Sequence, residues 1–161
     1  MINKTLLDLM VEEEGSLMIP AEDVSMVFED NSLLHAIMIL NNTSYISVPV
    51  LDYDNKLKGI ISTSQIIKFL GEKILGGFDV LEEYKVKDAL LDNYSTIKED
   101  YTFEEAMRSL INHNFLCVID DDGVLKGIIP RSNLLKKFNY MAHEFDRRYY
   151  VTKKKQFPFF F

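Results

Sequence analysis

Two stretches of the chain show the same succession of hydrophobic and polar positions. In each, a short apolar segment is followed by apolar residues at helical spacing, by two apolar strands around a polar turn, and by a second amphipathic segment. The predicted strands are Val24–Phe28, Ser47–Asp52, Lys58–Ser62, Ser95–Ile97, Leu116–Asp120 and Leu125–Ile129. The predicted helices cover Leu33–Leu40, a segment starting at the capping box Thr102–Glu105, and the segments Thr63–Leu75 and Arg131–Glu144.

The two stretches are copies of one sequence. A shift of 70 residues places Ser25, Glu29, Asp30, Ala36 and Leu40 on Ser95, Glu99, Asp100, Ala106 and Leu110. After a gap of two residues, a shift of 68 places Val50, Asp52, Asp54 and the run Leu57–Ile61 on Val118, Asp120, Asp122 and the run Leu125–Ile129. Self-similarity of this length predicts a duplicated structural unit.

Each copy therefore predicts a βαββα repeat of the mixed α/β (α+β) class. One repeat cannot cover both faces of its sheet, so we expect the two copies to pack against each other. An apolar pattern near the start (Leu6, Leu7, Leu9, Met10) adds an N-terminal helix. The predicted divisions are an N-terminal extension 1–19, a first repeat 20–75, a linker 76–85, a second repeat 86–145 and a C-terminal tail 146–161.

Composition narrows the class of partner. The formal net charge of −7 gives no general drive toward nucleic acid or an anionic membrane. The single cysteine, Cys117, lies in an apolar run and is interpreted as a buried core residue. We find neither a secretion signal nor an apolar run near the ~20 residues of a bilayer span, so a cytoplasmic location is expected.

The hairpin segments VPVLDYDNKLKGIISTSQII and CVIDDDGVLKGIIPRSNLL resemble the hairpin that leads into a helix in the CBS domain. The resemblance spans residues 20–140. It implies a Bateman module, in which two CBS repeats bind adenosine nucleotides in clefts between them and commonly form disc-like homodimers.

Three further segments, MIPAEDV, SYISVPVLD and GIIPRSNLLKKFNYMAHEF, resemble the stand-alone cyclic di-AMP-binding CBS proteins (the CbpB/DarB type) of Gram-positive bacteria. That resemblance implies a regulatory receptor without enzymatic activity or a cofactor. It also implies a Rel-type (p)ppGpp synthetase/hydrolase as partner, and pyruvate carboxylase in some members.

A bound adenylate needs a slot for its base. We expect the slot to be formed by two segments of the first repeat, Ala21, Glu22, Asp23, Val24 and Ser25 with Tyr45, Ile46, Ser47 and Val48. Backbone groups there can read the adenine edge while Tyr45 or Ile46 covers its face. The alternative is that Ile46 and Val48 are core residues, because alternation sends some strand side chains inward.

The predicted phosphate end is the start of the last helix, at Pro130, Arg131, Ser132 and Asn133. A strand-to-helix turn directs free N–H groups and the positive helix end outward, and Arg131 can donate to a phosphate. The alternative is an exposed arginine paired with a carboxylate.

Nucleotide-binding CBS repeats resembling these usually carry Thr/Ser-x-x-Asp at this turn, with the aspartate on the ribose diol. Here the pattern is Ser62-x-x-Gln65 and Pro130-x-x-Asn133. A cyclic dinucleotide has a phosphate esterified at its ribose 3′-oxygen, and a carboxylate beside that phosphate would repel it. Neutral amides at this position therefore favour cyclic di-AMP over AMP or ATP. Two alternatives stay open: a module that senses AMP, ATP or another adenosyl ligand, and a scaffold with empty sites.

Other candidate sites are weaker. The run Asp120–Asp122 is interpreted as a solvated turn. His35, His113 and His143 have no metal-ligand spacing, and no catalytic constellation is found, so an enzyme is not expected. The aromatic end of the tail Lys153–Phe161 either docks on a protein surface or frays.

Overall fold

The structure is a computed structural model that describes residues 4–12, 15–71, 73, 77–90, 94–150 and 152. The helices are α1 (Lys4–Glu12), α2 (Leu33–Asn42), α3 (Thr63–Leu70), α4 (Val80–Glu83), α5 (Phe103–Leu110) and α6 (Arg131–Arg148). The strands are β1 (Ile19–Pro20), β2 (Val27–Phe28), β3 (Ser47–Leu51), β4 (Leu57–Ser62), β5 (Thr96–Lys98), β6 (Phe115–Ile119) and β7 (Leu125–Pro130). Short 3₁₀ turns cover Ala21–Asp23 and Val86–Ala89.

Two sheets repeat the same topology. In one, the strand order is β2-β3-β4; in the other it is β1-β7-β6-β5. In both repeats a short strand pairs in parallel with the first strand of a hairpin, whose two strands are antiparallel. The predicted mixed α/β class and the two βαββα repeats are confirmed.

The duplication extends to the hairpin turns. Both hairpins carry a register shift at equivalent positions, between Val50 and Leu51 and between Val118 and Ile119. Asp52 Oδ1 accepts hydrogen bonds from two amides of its turn at 2.9 and 3.0 Å. Asp120 Oδ1 does the same at 3.0 and 2.9 Å. The repeated aspartate therefore satisfies turn amides that would otherwise lack a partner.

Hydroxyl side chains fix where the helices begin. Ser32 Oγ accepts from the His35 amide at 3.2 Å at the start of α2. At the start of α5, Thr102 Oγ1 accepts from the Glu105 amide at 3.2 Å, and Glu105 Oε2 accepts from the Thr102 amide at 2.8 Å. The capping box predicted at Thr102–Glu105 is confirmed.

The strand predicted over Val24–Phe28 is wrong for its first residues, since β2 covers Val27–Phe28 alone. The chain there forms the 3₁₀ turn, closed by the Val24 amide on Ala21 O at 3.1 Å. The strand predicted over Ser95–Ile97 is observed one residue later, at Thr96–Lys98.

The helix predicted over Thr63–Leu75 ends at Leu70, where Gly71 takes a φ of 49° that favours glycine. The last helix, α6, instead extends beyond Glu144 to Arg148. Arg148 stabilises this extra turn because it pairs with Glu144 and with Glu12 of α1, each at 2.7 Å.

Three groups of buried residues form the core. One lies within each repeat, and the third lies between the two sheets, with Leu51 from one hairpin and Leu125 and Ile128 from the other. Cys117 belongs to this central group and is fully buried, as predicted, and burial raises the pKa of its thiol to about 12. Because both sheets contribute residues to this central group, each repeat covers the inner face of its sheet only by packing against the other.

The segment before the first repeat lies against the second repeat. Strand β1 pairs with β7, with Ile19 opposite Ile128. Lys137 Nζ donates to Gly15 O at 3.0 Å, so helix α6 also holds this segment. No helix among the described residues is long and apolar enough to cross a bilayer. The aromatic tail segment 153–161 lies outside the described residues.

Candidate functional site

The two repeats meet through their hairpin tips. The Leu57 amide donates to Gly123 O at 2.9 Å, and the Leu125 amide donates to Asn55 O at 3.0 Å. The two bonds are reciprocal, because Leu57 corresponds to Leu125 and Asn55 to Gly123 in the duplication. A pseudo-twofold axis therefore relates the repeats at this contact.

A cavity of about 350 Å³ opens between the repeats beside the start of α3; we call it the α3 cleft. It is lined by Ile46, Ser47, Ile60, Ser62, Gln65, Tyr94, Asn112, His113, Asn114 and Phe115. Both repeats contribute to it, and its polar lining consists of hydroxyl, amide, imidazole and phenol groups without a carboxylate.

The predicted site is the pseudo-twofold counterpart of this cleft; we call it the α6 site. The duplication relates Ser62 to Pro130, Gln65 to Asn133, Tyr94 to Val24, and the segment 112–115 to 44–47. Six of the predicted residues therefore correspond to residues that line the α3 cleft: Val24, Tyr45, Ile46, Ser47, Pro130 and Asn133.

The structure brings the base-slot residues Ala21, Val24 and Tyr45 together. All three belong to the apolar group between the sheets, where Val24 is 8% exposed. Their neighbours Glu22, Asp23 and Ser25 are exposed to solvent. An apolar wall with polar residues at its rim suits a planar base.

The remaining base-slot residues, Ile46, Ser47 and Val48, differ in their exposure. Ile46 is 74% exposed and lines the α3 cleft together with Ser47. Val48 is buried in the core of the first repeat, so for this residue the core interpretation describes its surroundings. Exposure lets Ile46 contact a ligand, whereas Val48 offers only its backbone.

At the phosphate end, the Arg131 guanidinium is already bound to protein. Nε and Nη2 donate to His113 O at 3.0 and 2.6 Å, and Nη2 also lies 3.5 Å from Ile111 O. These carbonyls follow the end of α5, where a cation is electrostatically favourable. Arg131 thus binds backbone oxygens rather than the carboxylate of the alternative interpretation.

The other residues of this turn differ in burial and in whether their side chains are already hydrogen-bonded. Pro130 is buried at the N-cap of α6 and contributes no side-chain cap, and Ser132 is exposed. Asn133 Nδ2 donates to Leu17 O at 3.2 Å. A ligand reaching this turn finds the Ser132 hydroxyl accessible, while Arg131 and Asn133 must share or exchange their backbone partners.

Two regions of the chain, residues 11–72 and 86–140, match the CBS domain. The chain belongs to the CBS domain family. Together the two matches span most of the described structure, one for each repeat. The expectation drawn from the hairpin segments is therefore confirmed.

Relatives of this CBS protein include receptors for a cyclic dinucleotide. The chain is 31% identical over 125 residues to the cyclic di-AMP receptor B of Bacillus subtilis, covering 78% of this chain and 85% of the relative. Its fold is similar to that of CbpB from Streptococcus agalactiae, with a TM-score of 0.81, 27% identity, and coverage of 95% and 96% of the two chains. It is also similar to CbpB of Listeria monocytogenes in complex with c-di-AMP, with a TM-score of 0.71, 38% identity and coverage of 79% and 95%.

Sequence reasoning missed Tyr94, Asn112 and His113 as lining residues of a cleft in this CBS protein. The duplication carried the necessary signal, because it relates Tyr94 to Val24 and the 112–113 segment to 44–45. Ser62 and Gln65 were noticed for their spacing, and they form a closed network: Ser62 Oγ donates to Gln65 Oε1 at 2.8 Å, and Gln65 Nε2 to Ile60 O at 3.3 Å.

The acidic run Asp120–Asp122 forms the hairpin turn predicted from its sequence. Hydrogen bonds from the Val124 amide and from Lys126, with that lysine's charge, hold the pKa of Asp120 below its usual value. Within the described part of the chain, no group of three or more His, Cys, Asp or Glu side chains is arranged to hold a metal ion.

Proposed function

We propose that this CBS protein is a regulatory receptor that binds cyclic di-AMP at the α6 site and controls a partner protein according to its occupancy. The family and the similarity to cyclic di-AMP receptors support a nucleotide-binding role. The observation that carries the choice of ligand is Asn133: a neutral amide occupies the fourth position of the turn into α6.

The charge of that position matters because a cyclic dinucleotide has a phosphate esterified at its ribose 3′-oxygen, which in AMP and ATP belongs to the free ribose diol. An aspartate about 4 Å from this phosphate would cost roughly 4 kcal/mol at an effective dielectric constant of about 20. Asn133 avoids this repulsion, and its amide can donate to a phosphate oxygen once it leaves Leu17 O. The start of α6 adds free backbone amides and the positive end of the helix.

The test is isothermal titration of the full chain with cyclic di-AMP, AMP and ATP, using wild type, Asn133→Asp and Gln65→Asp. Gln65→Asp is the matched control because the pseudo-twofold relates the two positions. We expect cyclic di-AMP to bind wild type more tightly than AMP or ATP. Asn133→Asp should weaken cyclic di-AMP binding at least tenfold, and Gln65→Asp less than twofold.

A different pattern would contradict the proposal. Binding of AMP or ATP with no heat from cyclic di-AMP refutes the ligand. Weakening by Gln65→Asp alone assigns cyclic di-AMP to the α3 cleft instead. Thermal unfolding of each variant separates loss of binding from loss of fold, because Asn133 also contacts Leu17 O.

Control of a partner requires only that the partner binds the free and ligand-bound receptor with different affinity. The resemblance to CbpB/DarB-type proteins makes a Rel-type (p)ppGpp synthetase/hydrolase the partner to test, and a homodimer in the cytoplasm the expected working form. Pull-down with and without cyclic di-AMP tests this coupling, and equal capture in both conditions refutes it.

A scaffold that binds no nucleotide is the second candidate. It is favoured by the protein-bound state of Arg131 and Asn133, whose side chains already donate to backbone carbonyls. For a scaffold, nucleotides leave the thermal unfolding midpoint unchanged and Arg131→Gln leaves partner capture intact. A midpoint that rises with cyclic di-AMP concentration excludes it.

A further inference from the structure

We propose that Arg131 connects the two sites: without ligand its guanidinium holds segment 111–114 as one wall of the α3 cleft, and a phosphate at the α6 site draws it away and releases that wall. The contact of the guanidinium with segment 111–114 in the absence of ligand is called the holding step, and it is argued from geometry alone. The loss of that contact when a phosphate binds is called the release step, and it rests on the proposed function.

The holding contacts connect the start of α6 to the end of α5. The Arg131 amide donates to Asn114 O at 2.8 Å, and its side chain donates to His113 O and approaches Ile111 O. Asn112, His113 and Asn114 line the α3 cleft. One residue at the predicted phosphate end therefore sets the position of a wall that belongs to the other cleft.

The guanidinium cannot serve both partners fully. The edge formed by Nε and Nη2 is occupied by His113 O, and Nη2 also faces Ile111 O. Among the guanidinium nitrogens only Nη1 has no hydrogen-bond partner within the described part of the chain. A phosphate paired with Nη1 and Nη2 must displace Ile111 O, and a phosphate paired with Nε and Nη2 must displace His113 O.

The carbonyls of segment 111–114 can be solvated after the guanidinium leaves them. Ile111 is 69% exposed, and Asn112 and Asn114 are exposed as well, so water can take the place of the guanidinium at these carbonyls. An anionic phosphate attracts a guanidinium more strongly than a neutral carbonyl does. Occupancy of the α6 site would thereby change the surface at segment 111–114.

Amide NMR tests the holding step. The amide nitrogens of Asn112 and Asn114 adjoin the carbonyls of Ile111 and His113, so their resonances report on the Arg131 contacts. We expect Arg131→Gln to displace these resonances more than any amide of β3 or β4, and Arg131→Lys to displace them less. The matched control is Lys136→Gln, which removes one exposed charge from the same helix and should leave both resonances in place.

Addition of cyclic di-AMP to wild type tests the release step. Saturation should move the Asn112 and Asn114 resonances toward their positions in Arg131→Gln. Resonances that stay in place in Arg131→Gln, with its unfolding midpoint near that of wild type, overturn the holding step; resonances that stay in place at saturation overturn the release step. If titration calorimetry finds no binding to wild type, the proposed function and the release step fall together, while the holding step is still decided by the variants alone.

Discussion

Replacing Gly127 by alanine would place a methyl group against the backbone of β1. A Cβ at this position comes into overlap with Ile19 O and lies 2.9 Å from Met18 Cγ. The backbone oxygen cannot rotate away, so β1 must shift from β7. The equivalent glycine, Gly59, provides a matched control, because a Cβ there lies 3.1 Å from Leu90 Cδ2, the end of a flexible side chain.

The two substitutions should therefore differ in cost. Overpacking a filled site costs about 1–3 kcal/mol, which we expect for Gly127→Ala. For Gly59→Ala, the reduced freedom of the unfolded chain offsets a mild contact, so the net change should stay within about 1 kcal/mol. In a chain of this size, the loss for Gly127→Ala corresponds to a fall of roughly 3–9 °C in the unfolding midpoint.

Urea and thermal unfolding of both variants measure this difference. Because β1 leads directly into the turn at Ala21 and on to Val24, Gly127→Ala should also weaken ligand binding at the α6 site, and Gly59→Ala should not. Equal destabilisation by the two substitutions would refute the close approach of β1 to β7.

Two further predictions concern buried and charged groups of the second repeat. Asp120→Asn keeps an oxygen for the turn amides but removes the charge paired with Lys126 at 3.1 Å. Since folding lowers the pKa of Asp120, its charge stabilises the fold above the unfolded pKa of about 3.9, and this contribution disappears as pH falls through the lower folded value. The gap between wild-type and Asp120→Asn midpoints should thus be constant near neutral pH and narrow below about pH 4; a gap independent of pH contradicts this. Burial raises the pKa of Cys117 to about 12, so a thiol reagent at pH 8 should label it only in urea; rapid labelling of the native chain would contradict its buried position.

The repeat could be predicted from sequence because each signal is local. The turn aspartates Asp52 and Asp120 and the capping box at Thr102 act within four residues of themselves. Strand β1 could not be predicted in this way. Its two residues, Ile19 and Pro20, show no alternation, and they are a strand only because β7 lies beside them in the fold.

The same difference between local signals and contacts of distant residues applies to the candidate site. Duplication and alternation identified the residues that approach it, including Val24 and Tyr45. They could not reveal that Arg131 binds His113 O or that Asn133 binds Leu17 O, because these partners are 18 and 116 residues away in the chain. Which carbonyl these side chains reach depends on how α6 packs against the segment after α5 and against the segment before the first repeat, and the hydrophobic pattern does not encode this packing.

A crystal structure of the full chain grown with cyclic di-AMP measures the location of the ligand directly. The account predicts dinucleotide density between the turn at Ala21–Val24 and the start of α6, with a phosphate at Ser132 and Asn133 and the Arg131 guanidinium turned toward it. Density confined to the α3 cleft, or an α6 site that stays empty at saturating dinucleotide, would contradict it.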